Sequence, residues 1–115
     1  MKNYRYVGFL IVFVFSYGCA ADKKSDFDIA CVSFEEIVKL ENYSEMSPQE
    51  RNEEYESLLS SKVSAESNAL VSWLAVSHVD SKERYKLYQE AALSTGLEDW
   101  GCESMSRRAH EIGQF

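Results

Sequence analysis

Apolar positions recur at helical spacing along most of the chain, and no segment alternates as a strand does. Cys31, Phe34, Ile37 and Val38 keep this spacing. Ser33 with Glu36 would form a capping box, but Ala30, Cys31 and Phe34 carry the apolar face further upstream. The spacing therefore predicts a first helix from near Asp28, ending at Glu41-Asn42-Tyr43. Ser47-Pro48-Gln49-Glu50 marks the next start: an N-cap Ser, Pro at the first helical position and Glu at the third. This helix should run to about Ser60, burying Tyr55, Leu58 and Leu59. A third, from about Ser64 to His78, is apolar on most faces, as a buried helix would be. Trp73 is its largest side chain, and its indole N–H needs an acceptor.

Asp80 and Glu83 have the spacing of a further capping box. The helix they open carries Tyr85, Leu87, Tyr88, Ala91 and Ala92, with Gly96 as its C-terminal stop. Arg84 is expected to answer nearby carboxylates such as Glu83 or those of the acidic second helix. Leu97 and Trp100 cover the core from a turn. Glu103 to Ile112 reads as a short final helix, and the residues after it should fray. The pattern predicts an all-α fold: a small four-helix bundle with a short C-terminal helix.

The chain carries 12 Lys+Arg against 19 Asp+Glu, a net of −7 over 115 residues. That length gives one small domain. The acidity excludes sequence-independent nucleic-acid binding, which needs clustered cations on phosphates. It also excludes a polybasic membrane-surface protein. Acid is densest on the second helix, where Glu50, Glu53, Glu54 and Glu56 surround Arg51. Those four carboxylates are the candidate surface for a basic protein partner.

The first residues read as an address. Lys2 and Arg5 precede an uncharged run from Tyr6 to Ala21, whose apolar heart is Phe9 to Phe15. A spanning helix needs about 20 apolar residues. A basic start, a short apolar core and small residues are the layout of a secretory signal. Two cleavage sites fit, one after Ala21 and one between Gly18 and Cys19. Ser16-Tyr17-Gly18-Cys19 resembles the lipobox of bacterial lipoproteins, departing from it at Ser16, where that family prefers Leu. The resemblance implies a signal peptide over 1–18, a lipid on Cys19 that anchors the chain to the membrane, a tether over 19–28 and a helical domain over 29–115. It also implies a bacterial envelope location, with Ala20 favouring the outer membrane and a periplasm-facing domain. Cleavage after Ala21 would instead give a soluble periplasmic or secreted protein. Removing residues 1–18 takes away two cations and no acid, leaving 97 residues at −9.

Lipidation of Cys19 would leave Cys31 and Cys102 as an even pair in an oxidising compartment, where a disulfide is expected. A bridge would close a loop of about 70 residues and contribute on the order of 4 kcal/mol. Small domains need such staples. The Arg84 to Cys102 stretch, with its Trp100-Gly101-Cys102 ending, also resembles small secreted bacterial proteins that pair a Trp-x-Cys with an early Cys. That resemblance implies a helical, disulfide-closed domain and brings no activity.

Candidate chemistry is sparse. His78 and His110 are the only imidazoles. No Ser lies in a nucleophile-elbow context. Cys and His lack metal-ligand spacing, and no acidic stretch has calcium-loop spacing. No cofactor is expected. Asn42-Tyr43-Ser44 matches a glycosylation sequon, a three-residue pattern that carries weight only in a eukaryotic secretory context. The sequence therefore points to a non-enzymatic, envelope-anchored binding module of the inhibitor, immunity-type or assembly-accessory kind. A structural module of an envelope complex is the alternative.

Overall fold

The computed structural model describes residues 25–114. Among these residues the fold is all-α, with no strand. Four main helices, α1 (Asp26–Val38), α2 (Pro48–Ser60), α3 (Asn68–Val76) and α4 (Arg84–Ser94), precede a short α5 (Glu103–Arg108). Two 3-10 turns, Tyr43–Glu45 and Ala109–Glu111, flank this frame. The leader and Cys19 lie outside the described residues.

Local chemistry sets most boundaries. Ser25 accepts from the Asp28 N–H and starts α1 at Asp26, two residues before the expected start. Residues 26–28 are therefore helix rather than tether, and Phe27 enters the core. The α2 capping box forms in full: Ser47 Oγ accepts from the Glu50 N–H, and Glu50 Oε1 accepts from the Ser47 N–H. Ser67 caps α3 by accepting from the Ala69 N–H, so this helix begins later than its pattern suggested. The Asp80–Glu83 box does not form. Asp80 Oδ1 instead accepts from the Lys82 N–H in a turn, and α4 starts at Arg84. Gly96 stops α4 with φ 100°. The Gly96 and Leu97 N–H groups donate to the Leu93 and Ala92 carbonyls, a paired closure that requires the left-handed backbone glycine adopts freely.

α1 packs against α2, α3 and α5, while α3 packs mainly on α4. A continuous run of aromatic rings joins these elements. Phe34 meets Tyr55 at 5.4 Å between centroids, Tyr55 meets Trp73 at 5.0 Å, Trp73 meets Tyr88 at 5.6 Å, and Phe27 meets Tyr88 at 5.1 Å. Most are edge-on contacts, the arrangement that ring quadrupoles favour. The polar ends of these rings are also tied across elements. Tyr55 Oη donates to the Ala30 carbonyl, Tyr88 Oη to the Ala69 carbonyl, and Trp73 Nε1 to Asn52 Oδ1. Burial pushes the Tyr55 and Tyr88 hydroxyls well above the usual tyrosine range.

The expected staple is present: Cys31 in α1 is bonded to Cys102 ahead of α5. The tail also holds its place instead of fraying. The Gly113 N–H donates to the Pro48 carbonyl, and the Gln114 N–H donates to the Ser77 carbonyl.

One expected burial is corrected. α3 is not enclosed on all sides: Val71 is 50% exposed and Leu74 41% exposed. A nine-residue helix on the outside of a small domain has no second layer to cover its far face.

Candidate functional site

The structure divides the four candidate glutamates. Glu50, Glu53 and Glu54 are exposed on the outer side of α2. Glu56 is half-buried and has a structural task. It accepts from Asn52 Nδ2 at 2.6 Å and from Gln114 Nε2 at 3.3 Å. Asn52, itself fully buried, thereby links the Trp73 indole to Glu56 and the C-terminal tail. Sequence reasoning missed Asn52. Its signal was a polar residue three positions before Tyr55, on the buried edge of the helix.

Arg51, the single cation among these glutamates, turns toward Tyr43 and the C-terminal segment. Its Nε donates to the Tyr43 carbonyl, its guanidinium donates to the Glu111 carbonyl, and it stacks on the Tyr43 ring at 4.1 Å. Among the described residues no salt bridge reaches Glu50, Glu53 or Glu54. The outer face of α2 therefore presents three carboxylates without a neutralising partner. Like charges at this spacing cost a few tenths of a kcal/mol each.

Behind that face lies a polar seam. Tyr43 Oη donates to Glu111 Oε1 at 2.6 Å, and Arg108 pairs with the same carboxylate at 3.1 Å. Burial would raise the Glu111 pKa, but the bonds from Tyr43 and Arg108 outweigh it and hold the carboxyl below the usual range. Burial and the Glu111 bond push the Tyr43 hydroxyl upward.

Arg84 is the larger surprise. It was expected to answer a surface carboxylate, yet it is fully buried. Its guanidinium donates to four carbonyls: Val76, Val79, Ala109 and Ile112. These lie at the end of α3, in the loop that follows and in the C-terminal segment. Burial pulls its pKa below the usual value, with Asp80 opposing. A Cβ at Gly113 would sit 2.6 Å from the guanidinium carbon, so glycine there admits the clamp.

His78 is exposed one residue beyond the α3 cap. His110 is exposed beside Glu111, at 3.8 Å. It lines a cleft of about 230 Å³ with Lys82, Tyr85 and Met105, and His78 is not among the lining residues. Among the described residues no group of His, Cys, Asp or Glu is arranged to hold a metal. None of their helices is long and apolar enough to cross a membrane. No family model, curated protein or solved structure matches the chain.

Proposed function

We propose that this protein is a small acidic envelope lipoprotein that works by binding a basic protein partner. The observation that carries the reading is the inward turn of Arg51, which leaves Glu50, Glu53 and Glu54 uncompensated on one helical face. Electrostatic complementarity of that kind steers association and selects partners more than it adds raw affinity. Inhibitor, immunity-type protein and assembly accessory are all roles such a face suits. The reading is non-enzymatic and needs no cofactor. The Cys31–Cys102 bond is consistent with an oxidising, extracytoplasmic compartment. Attachment would come through lipid on Cys19, with cleavage after Ala21 and a soluble periplasmic form as the alternative.

A second reading rests on α3. Val71 and Leu74 leave an aliphatic stripe in water, as a structural module of an envelope complex would. Salt separates the two, because screening weakens contacts between exposed charges and spares apolar ones.

Full-length protein should recover a basic partner from envelope extract at low salt and release it as salt rises. A Glu50→Gln, Glu53→Gln, Glu54→Gln variant should lose that partner. Gln at position 50 still accepts the capping bond, so the helix start is kept. Unchanged recovery by this variant would refute the acidic-face reading. Intact mass of the membrane-extracted protein should show a lipid-bearing Cys19 as the first residue, and an unmodified chain starting at Asp22 would refute the anchor.

A further inference from the structure

A groove of about 370 Å³ runs between the C-terminal end of α1 and α2. Ile37, Leu40 and Leu58 form its apolar lining, and each side contributes a carboxylate, Glu36 from α1 and Glu54 from α2. Leu40 is 40% exposed, a large aliphatic side chain left in water just past the end of α1. Glu54 lies one turn beyond Glu50, so the groove borders the uncompensated face of α2. One of these carboxylates, Glu36, is met by Lys62 at 3.1 Å. Both partners are solvent-exposed, and such a surface pair holds its geometry weakly.

Aliphatic lining with a carboxylate on either side suits one kind of occupant. A Lys or Arg can lay its methylene stem on Leu40 and carry its charge to a carboxylate. An amphipathic helix would add apolar anchors at the same spacing. An anionic lipid surface or a second copy of this acidic chain would be repelled by the same carboxylates. We infer that the α1–α2 groove seats a basic amphipathic helix of the protein partner, with an apolar side chain on Leu40 and Leu58 and a cation on Glu54. This inference rests on the acidic-face reading above and adds the apolar half of the contact.

The test uses the full-length chain and two synthetic helical peptides of equal length and equal Lys content. One carries Leu at helical spacing, and the other carries Ser in those places. The Leu/Lys peptide should bind roughly fivefold more tightly and shift the methyl resonances of Leu40 and Leu58. Leu40→Ser should erase that advantage and leave the Ser/Lys peptide's affinity unchanged. Because Leu40 is already part-exposed, the urea midpoint of this variant should stay close to wild type. Equal binding of both peptides, with shifts confined to the Glu50 and Glu53 region, would overturn the groove and leave the acidic face standing. An advantage that survives Leu40→Ser would also overturn it. Failure of both peptides to bind at low salt would overturn groove and acidic face together. Binding of anionic vesicles at Leu40 and Leu58 would overturn the choice of a protein occupant.

Discussion

The C-terminal seam and the outer face of α2 use charge in opposite ways. In the seam, Arg84 and Arg51 turn inward and donate to backbone carbonyls of distant segments. On the outer face, Glu50, Glu53 and Glu54 point to solvent, and only Glu50 has a bond of its own, at the cap. The net charge is therefore a poor guide to the surface. Arg84 is buried, and Arg51 is half-buried against the Tyr43 ring, so neither pairs with the carboxylates on the exterior of α2. Charge turned inward ties segments of the fold together, and charge turned outward stays in solvent.

If the seam holds the fold, removing its cation should have the largest effect. Arg84→Met would leave four carbonyls without their common donor and should lower unfolding free energy by about 3–5 kcal/mol. Urea denaturation reads this, and a loss under about 1 kcal/mol would deny Arg84 its role. The disulfide comes next. Cys31→Ser with Cys102→Ser frees a loop spanning 71 residues and should cost about 4 kcal/mol in the chain-entropy model. The two losses should fall short of additivity, because both act on the placement of the C-terminal segment. Asn52→Ala strands the Trp73 indole N–H and releases Glu56, for a smaller loss of about 2 kcal/mol. Trp73 fluorescence should report that change directly.

The seam also predicts a pH window. The Glu111 pKa is depressed by folding, so its stabilisation is present above the ordinary carboxylate range and is lost as pH falls through the lowered folded value. Tyr43, Tyr55 and Tyr88 behave in the opposite sense. Their folded pKa values are raised, so their stabilisation is complete below the ordinary tyrosine value near 10 and is lost as pH climbs toward the folded values. Unfolding midpoints should decline at both extremes, and phenolate absorbance from the buried rings should rise only with unfolding. Early, gradual ionisation of all the tyrosines in the folded protein would contradict the burial.

What was legible in the sequence was local. The Ser47 cap, the Gly96 stop and the core role of Trp73 depend on residues a few positions apart or on one side chain's size, and each leaves a mark in the string. The disulfide could be read because cysteines are few. The clamp could not. Arg84 bonds to carbonyls, which every residue has, so its acceptors carry no signature. Gly113 was the one hint, a residue without a side chain where a guanidinium must pass. The exposure of Val71 and Leu74 was hidden for a different reason. Composition measures how apolar a helix is, but not how many neighbours a small domain can offer it. Of the four candidate glutamates, three lie exposed on α2, as a solvated acidic helix face would have them. The sequence could not separate Glu56 from the other three, because that needs the position of Asn52 and Gln114 in space.

The division between a structural seam and a free acidic face is tested most directly by the urea unfolding midpoint of the Glu50→Gln, Glu53→Gln, Glu54→Gln variant. Relief of repulsion among the outer carboxylates is offset by the lost helix-dipole attraction of Glu50 at the cap, which Gln still bonds, so the variant should stay within about 1 kcal/mol of wild type. A loss of more than about 1 kcal/mol, well outside what exposed charges contribute, would mean that these glutamates hold the fold and would contradict the account.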